Sequence, residues 1–338
     1  MEGTINAMEK ATIQDVALAA GVSKSTMSRF LNQNYSHMSA KTRQRIANTV
    51  KEMGYRPNRR AQSLKTNHSR LIGIMIADIS NIYVSLLLKG IDSYLKTLGY
   101  QMIIMESSNS VVQEKEQLEQ LLDQSVEGII LQPNSRQSAD YDFIAAEKVP
   151  MVLVDRETSP LQWDTIVTNN YSASQYLGQL GQISGQKYTM GIFISENIKA
   201  VSTREHRLAG FKVGIAPLPV EVIEYDENQA EIQKQLSVLI ASGEHPLIFA
   251  ANGKVLTGVL RICQNLKLSI PAQAGVTGYD DWNWAGLVNP GISAVEQYPD
   301  YIGRLSAEIL MDLMQGRNCE PAAKVHTLSA DVMDRYSI

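Results

Sequence analysis

Short apolar runs alternate with longer stretches of helical periodicity from Leu71 onward. The runs LIGIMIA, YQMIIME, VEGIILQ and PMVLVD predict buried parallel strands, separated by predicted helices near 83–98, 111–124 and 138–147. The pattern then repeats, with strands at YTMGIFI, VEVIEYD, PLIFAA and QAGVTGYD and helices near 171–184, 203–214, 228–242 and 253–268. This length exceeds one sheet of about four to six strands, so we predict an α/β body of two doubly wound parallel-sheet lobes, with a ligand cleft between them.

Three short helices are predicted before this body. The segment ATIQDVALAAGVSKSTMSRFLNQ has a capping-box pattern at Thr12 and Asp15, a stop signal at Gly21 and a second start signal at Ser23. Ser39 is placed to cap a third helix. We therefore predict a small all-α head whose first two helices have helix-turn-helix spacing.

The head and the body carry opposite charge. The whole chain has 31 Lys and Arg residues and 35 Asp and Glu residues, but residues 1–70 hold 12 basic and 4 acidic residues. On the second predicted helix, Lys24, Ser25, Ser28 and Arg29 share the face opposite the apolar residues. A basic head with such a polar face indicates DNA as its partner, because Arg and Lys bind bases and phosphates.

Several other classes of protein are disfavoured. No apolar stretch approaches the roughly 18 residues of a membrane span and MEGTINAMEK lacks the apolar core of a secretory signal, so we expect a cytoplasmic protein with no membrane partner. The two cysteines cannot form a disulfide framework. The sequence has no GxxxxGKS/T phosphate loop, GxSxG elbow or HExxH motif, so we expect no enzyme, no cofactor and no metal site.

The head motif A-T-I-Q-D-V-A-x-x-A-G-V-S-x-x-T-x-S-R at 11–29, with S-A-K-T-R at 39–43 and Y-R-P-N at 55–58, resembles the LacI/GalR family of bacterial transcription regulators. The resemblance continues through IGIMIADISN, VEGIILQP, STREHRLAGF and GYDDWNWAGLVNPGIS. It implies a sequence-specific DNA-binding regulator, a repressor of carbohydrate catabolism genes, with a periplasmic-binding-protein-like body. The implied domains are the helix-turn-helix head at 10–57, a hinge helix at 58–69 and an effector-binding and dimerisation body at 70–338, with lobes mainly at 70–167 and 168–297 and a chain that crosses back near its C-terminus.

By this resemblance, Lys24, Ser25 and Arg29 read bases in the major groove of a palindromic double-stranded operator. The other implied DNA-binding residues are Thr12, Ser23, Thr26, Ser28, Asn32, Ser39, Thr42, Arg59, Ala61 and Leu64. In the family the hinge folds only when two copies meet on DNA, and Leu64 matches the leucine that enters the minor groove. We expect a homodimer and not a tetramer, because the chain ends in HTLSADVMDRYSI without the leucine heptads of the family's tetramers.

The resemblance also implies an effector site at the strand ends that face the cleft. The matching positions are Tyr83, Asp155, Asn169, Thr203, Arg207, Asn252 and Asp280, with Tyr225 and Trp282 as candidate stacking residues. Carboxylates and amides bind sugar hydroxyls, and aromatic faces cover the apolar side of a sugar ring.

The effector itself is less defined. The stretch WNWAGLVNPGI resembles regulators of sugar-acid use, such as those that respond to ketodeoxygluconate, and Arg156, Arg204 and Arg207 can supply a cation for a carboxylate. The sequence departs from the family at Asn81-Ile82-Tyr83 and Asn252-Gly253, so the effector and the sign of its effect stay open. The alternatives are a global catabolite regulator that responds to a phosphorylated carrier protein and a free-standing sugar-binding protein.

Overall fold

The computed structural model describes residues 11–56, 68–280, 282, 284–317 and 322–338. These residues form two compact units that divide between Ser69 and Arg70. The predicted hinge positions Arg59, Ala61 and Leu64 lie outside the described residues, as does Cys319.

The described residues of the first unit form three helices: α1 (Ile13–Ala19), α2 (Lys24–Leu31) and α3 (Ala40–Glu52). The capping predictions are confirmed, because Thr12 and Asp15 form a capping box, and the hydroxyl groups of Ser23 and Ser39 accept backbone N–H groups at the starts of α2 and α3. Gly21 has φ +59°, the left-handed conformation that glycine adopts most easily after a helix. The core of this unit is small and consists of Val16, Ala17, Ala20, Met27 and Ile46.

The first lobe of the second unit is a six-stranded parallel sheet. Its strands are β1 (Leu71–Ile76), β2 (Gln101–Glu106), β3 (Gly128–Leu131), β4 (Met151–Val154), β5 (Thr165–Thr168) and β11 (Val325–Leu328). Their order in the sheet is β11-β5-β4-β3-β1-β2. The sheet is covered by α4 (Ile82–Leu95) and α11 (Pro299–Met314) on one face and by α5 (Val111–Asp123) and α6 (Asp142–Ala146) on the other.

The second lobe has the same layout. Its strands are β6 (Met190–Ser195), β7 (Val220–Glu224), β8 (Pro246–Ala250), β9 (Gly275–Tyr279), β10 (Ser293–Glu296) and β12 (Asp331–Met333), in the order β12-β10-β9-β8-β6-β7. It is covered by α7 (Asn170–Ile183) and α8 (Ser202–Gly214) on one face and by α9 (Ala230–Ala241) and α10 (Gly253–Asn265) on the other. The predicted fold, an all-α head followed in the sequence by two doubly wound lobes, is confirmed.

One strand departs from the parallel arrangement of the two sheets, because β12 pairs with β10 in the antiparallel sense. The chain leaves β11 in the first lobe and needs only residues 329 and 330 to reach β12 in the second. It thus enters the second sheet at the carboxyl end of β10, where Asp331 pairs with Glu296, and must run away from that end.

Three crossover segments join the lobes, and hydrogen bonds hold them together. Thr168 Oγ1 donates to Gln297 Oε1 at 2.9 Å, the N–H of Ala330 donates to Asn169 Oδ1 at 2.9 Å, and Tyr298 donates to Asp331 Oδ2 at 2.5 Å. These bonds link the segments that follow β5, β10 and β11. We call these three connections between the lobes the crossover segments.

Candidate functional site

The second helix of the head presents a polar face. Met27 is fully buried and anchors α2 in the small core, which leaves Lys24, Ser25 and Arg29 exposed on the opposite side. Residues 11–56 contain seven Lys and Arg residues and two Asp and Glu residues. A short exposed helix with this charge balance has the chemistry of a helix that enters the major groove of DNA.

The loop after α2 is held by aromatic contacts. Phe30 and Tyr35 meet edge to face with 6.0 Å between ring centroids, and the Arg43 guanidinium lies 4.0 Å from the Tyr35 ring. Cation–π contacts of this kind contribute about 0.5–1 kcal/mol at exposed sites. The loop between α2 and α3 therefore packs against both neighbouring helices.

In the body, several predicted effector residues follow directly after parallel strands. Asp155 follows β4, Asn169 follows β5, Asn252 is two residues beyond β8, and Asp280 follows β9. Because the carboxyl ends of parallel strands meet at one edge of a sheet, the two lobes bring these residues to the cleft between them.

Asp155 and Asp280 occupy equivalent places in the two lobes, since β4 and β9 have the same position in their sheets. Both have left-handed backbone conformations, with φ +66° and +75°. Each carboxylate accepts a hydrogen bond from a glutamine: Gln132 Nε2 donates to Asp155 at 2.7 Å, and Gln297 Nε2 donates to Asp280 at 2.7 Å. Backbone strain of this kind costs about 1–3 kcal/mol per residue and is concentrated at functional sites.

Arg207 in α8 is buried and only 4% exposed. Its Nε donates to Asn170 Oδ1 at 2.7 Å, its Nη1 to the carbonyl oxygen of Ala251 at 2.6 Å, and its Nη2 to Gln297 Oε1 at 3.1 Å. The guanidinium also stacks on Tyr279, 3.6 Å from the ring centroid. The side chain is thus fixed in place while two of its five N–H groups are left for a ligand.

Burial raises the pKa of the Asp280 carboxyl, and the Arg207 cation is the largest influence that counteracts this. The N–H of Gly253 also donates to Asp280 Oδ2 at 2.8 Å. This contact needs a glycine, because a Cβ at position 253 would lie 2.9 Å from the Cβ of Asp280. The departure from the family at Asn252-Gly253 therefore has a structural consequence: it brings the start of α10 against the carboxylate.

Two buried polar atoms in the cleft have no hydrogen-bond partner among the described residues: the hydroxyl oxygen of Tyr83 and Nε of Arg156, which forms a longer ion pair with Asp155 Oδ2 at 3.8 Å. Burial raises the pKa of Tyr83 well above its ordinary value, and the charges of Asp155 and Arg207 also act on it. Because a buried polar group without a partner costs about 1–3 kcal/mol, these atoms mark the place where a polar ligand would be stabilised.

Arg204 adds a third cation beside this place. Its Nη1 donates to the carbonyl oxygen of Glu196 at 2.8 Å, and its Nη2 to the carboxylate of Glu196 at 3.0 Å. Burial and, next, the charge of Arg156 lower the pKa of Arg204 to about 10. We call Tyr83, Asp155, Arg156, Arg204, Arg207 and Asp280 together the inner compartment.

A cavity of about 410 Å³ lies between the lobes. Both lobes line it, and we call it the outer pocket; its principal side chains are Asn81, Ile82, Tyr225, Arg261, Trp282 and Trp284. Trp282 also lies against Tyr83, with 6.4 Å between the ring centroids, so the two spaces adjoin.

Comparisons with known proteins match both units. Residues 12–58 match the bacterial regulatory proteins of the lacI family, and residues 72–318 match the periplasmic binding protein domain. The HTH-type transcriptional regulator KdgR of Bacillus subtilis (strain 168) is 30% identical over 334 residues, which are 97% of each chain. The regulator PtxS of Pseudomonas plecoglossicida is 31% identical over 322 residues, 94% of this chain and 93% of its own. The crystal structure of the lac repressor dimer bound to operator and the anti-inducer ONPF matches with a TM-score of 0.82 at 25% identity, covering 97% of this chain and 99% of that one.

The chain belongs to the LacI family. It is a DNA-binding transcriptional regulator, as the sequence predicts, and its family consists of regulators rather than enzymes. Within the part of the chain that the structure describes, no helix has the length and apolar character needed to cross a membrane.

The LacI-family body does not bring all the predicted effector residues to one place. Tyr83, Asp155, Arg207 and Asp280 lie together in the inner compartment, whereas Tyr225 and Trp282 line the outer pocket. Thr203 is buried near the start of α8, and Asn169 Oδ1 accepts a hydrogen bond from the N–H of Ala330 in a crossover segment. Asn252 caps α10 through its Oδ1, while its Nδ2 donates to Glu196.

Several residues with central contacts were not predicted. Gln297, Asn170 and Glu196 hold the cleft arginines, and Trp284 and Arg261 line the outer pocket. Gln297 follows β10, a strand that also escaped prediction. Asn170 adjoins the predicted Asn169 after β5 but was not itself predicted. Among the head residues, the hydroxyl groups of Thr12, Ser23 and Ser39 serve as helix caps.

Proposed function

We propose that this LacI-family chain represses carbohydrate catabolism genes under the control of a small sugar acid, of the ketodeoxygluconate type, bound between the lobes of its body. The observation that carries this proposal is the inner compartment, where Tyr83 Oη and Arg156 Nε lack a hydrogen-bond partner among the described residues and lie beside Arg204 and Arg207. Hydrogen bonds from a guanidinium to a carboxylate are about twice as strong as neutral ones, so such a site favours an acid over a neutral sugar.

The bound acid would place its carboxylate on the two free N–H groups of Arg207 and its hydroxyls on Asn169, Asn252 and Asp280. Asp280 suits hydroxyls because a carboxylate accepts several hydrogen bonds, and its two present donors leave room for more. Asp155, Tyr83 and Thr203 would complete this site, and Tyr225 and Trp282 would stack on the apolar face of the ligand.

On DNA, the proposed assembly is a homodimer on a palindromic double-stranded operator, in the cytoplasm where the chromosome lies. One helix-turn-helix unit contacts only a few base pairs, so two heads are needed for a specific site. Lys24, Ser25 and Arg29 would read bases; the contacts that position the head are proposed for Thr12, Ser23, Thr26, Ser28, Asn32, Ser39 and Thr42. The hinge residues Arg59, Ala61 and Leu64, outside the described residues, would bind the minor groove.

The decisive experiment is a thermal-shift screen of neutral sugars, sugar acids and sugar phosphates on the full chain. A ligand at 100 times its Kd adds about 2.7 kcal/mol to stability, which gives a clear shift in Tm. The proposal expects stabilisation by ketodeoxygluconate or a related acid and a change in operator retardation when that acid is added. Stabilisation by a phosphorylated carrier protein, with none by any sugar acid, would favour the global-regulator alternative instead.

A further inference from the structure

Arg156 is held in place from the interior of the first lobe. Its Nη1 donates to Asn134 Oδ1 at 2.8 Å and to the carbonyl oxygen of Pro133 at 3.2 Å, and its Nη2 donates to Asn109 Oδ1 at 3.3 Å. These neutral groups fix the guanidinium. Among the described residues, a carboxylate meets its charge only in the long ion pair of 3.8 Å with Asp155.

A carboxyl group in the core of the first lobe holds Asn134 in turn. Glu114 of α5 accepts the N–H of Asn134 on its Oε2 at 2.9 Å and the hydroxyl group of Tyr141 on its Oε1 at 2.6 Å. Asn134 Nδ2 also donates to the buried hydroxyl of Ser107 at 2.6 Å. A single buried residue, Asn134, therefore connects the buried Glu114 carboxyl to the buried Arg156 guanidinium.

Glu114 forms no ion pair with any described residue, so its charge depends on few groups. Burial raises the pKa of Glu114 to about 7, the hydrogen bond from Tyr141 and the charge of Arg156 lower it, and the charge of Asp140 raises it. The helix α5 also packs on β1 and β2, whose one ionisable side chain, Glu106, accepts a hydrogen bond from the loop after β2. Arg156 is therefore the cation that favours the ionised form of Glu114.

The same cation acts on the inner compartment. Beside the effect of burial, the charge of Arg156 acts on the pKa values of Tyr83 and Arg204. An anion bound in the inner compartment would offset part of the positive potential that Arg156 supplies at Glu114. Binding of an anion and ionisation of Glu114 therefore oppose each other, and this coupling is reciprocal.

The bond between Glu114 and Asn134 can persist in both protonation states. A backbone N–H group can only donate, so Oε2 accepts it whether or not the carboxyl carries a proton. The proton then lies on Oε1, beside the Tyr141 hydroxyl, which can accept as well as donate. Protonation thus changes the charge behind Arg156 without releasing the residue that holds it.

We propose that Glu114 is a positioning residue that links effector binding to pH: through Asn134 and Arg156, its ionisation weakens the binding of an anionic ligand in the inner compartment. This inference rests on the proposed function, which supplies the acidic ligand. It extends that function by making the proton a second regulator of the same site.

The test is calorimetry on the full chain with ketodeoxygluconate at pH 6, 7 and 8, in buffers of different ionisation enthalpy, so that protons taken up on binding are counted. The acid is ionised throughout this range, since the pKa of a carboxyl group is about 4. A tenfold gain in the proton affinity of Glu114 on binding would raise the Kd about fivefold between pH 6 and 8. We expect a rise of about three- to fivefold, with uptake of a fraction of a proton at pH 7.

Four variants locate the source of the pH dependence. Glu114→Gln has no proton to exchange, so it should bind the acid equally at pH 6 and 8 and take up no proton. Tyr141→Phe removes a donor to the ionised carboxylate and should move the midpoint of the pH profile upward. Two controls should keep the wild-type profile: Glu116→Gln, an exposed carboxyl on the same helix, and His206→Gln, which removes the histidine beside Glu157.

The outcomes separate this inference from the function on which it rests. Binding of the acid with an affinity that does not change with pH would overturn the inference while the sugar-acid proposal stands. A pH dependence that survives Glu114→Gln, one that His206→Gln removes, or a midpoint that Tyr141→Phe leaves in place would also overturn it. If no sugar acid binds at any pH, the proposed function fails and this inference fails with it.

Discussion

Glu114 is a buried carboxyl group whose replacement by Gln should make the stability of the first lobe less dependent on pH. It is 1% exposed on α5, and it accepts hydrogen bonds from Tyr141 Oη at 2.6 Å and from the N–H of Asn134 at 2.9 Å. Burial raises the pKa of Glu114 from its ordinary value of 4.5 to about 7, against the opposing effect of these bonds and of Arg156. The folded chain therefore keeps a proton that the unfolded chain has lost.

The sign and size of the effect follow from this difference. Between pH 4.5 and about 7 the native state binds more protons at Glu114 than the unfolded state, so the free energy of unfolding falls as pH rises. The loss amounts to about 1.4 kcal/mol for each pH unit, or about 3 kcal/mol across the interval. Above pH 7 both states are ionised and the contribution becomes constant.

The measurement is urea unfolding at several pH values between 5 and 8, for wild type and Glu114→Gln. Trp163 reports on the relevant region, because its ring lies 6.2 Å from that of Tyr141 in an edge-to-face contact. The wild type should lose about 3 kcal/mol more than Glu114→Gln between pH 5 and 8. Glu116→Gln, an exposed carboxyl on the same helix, should follow the wild type. A difference between wild type and Glu114→Gln that stays constant with pH would refute the reasoning.

Three further predictions concern packing, charge and DNA contact. Arg207→Ala should lower the free energy of unfolding by about 3–5 kcal/mol, because it removes three buried hydrogen bonds and the charge that opposes the effect of burial on Asp280. Adding Asp280→Asn should recover part of this loss in urea unfolding; strictly additive effects would contradict the coupling. Gly303→Val should destabilise the chain by more than about 1–3 kcal/mol, since a Cβ there would lie 2.1 Å from a backbone oxygen of α4, and an unchanged Tm would show that the helices separate at no cost. Arg29→Ala should weaken the free energy of binding to operator DNA by about 1–3 kcal/mol and that to random DNA only slightly, and so should Leu64→Ala in the hinge helix outside the described residues. Gel retardation that shows equal losses of affinity on both DNAs would reject these roles.

Most of the strands that sequence patterns predict have unbroken apolar runs, because burial on both faces of a sheet disfavours polar residues. The edge strand β7 is an exception, since Glu221 and Glu224 interrupt its apolar residues. The strands that escaped prediction are β5, β10, β11 and β12, which have three or four residues each and include polar ones. For so short a segment the neighbours in the sheet decide the conformation, and they come from distant parts of the chain.

The helix α11 also escaped prediction although its signal is present, with Pro299 in its first turn and buried apolar residues at helical spacing. Its position in the first lobe could not be predicted from its place after the last strands of the second. In the structure α11 packs closely on α4, because Gly90 and Gly303 let the two backbones approach. Two glycines that lie far apart in the sequence, each facing the backbone of the other helix, give no local sequence signal.

In the candidate site, sequence position identified residues at strand ends but not their partners. Asp280 and Arg207 follow from the family pattern, whereas the bonds that orient them depend on Gln297 and Asn170. Asn252 illustrates the reverse case, since an asparagine just before a helix also predicts a cap, and the cap is what its Oδ1 forms.

Gln297 connects the inner compartment to the crossover segments. Its Oε1 accepts from Arg207 at 3.1 Å and from Thr168 at 2.9 Å, and its Nε2 donates to Asp280 at 2.7 Å. Thr168 and Gln297 belong to two of the crossover segments, so a ligand that shifts Arg207 or Asp280 acts on the segments about which the lobes move. Since a ligand changes an equilibrium only through its different affinity for the two states, these bonds are a physical route by which binding in the cleft can favour one arrangement of the lobes.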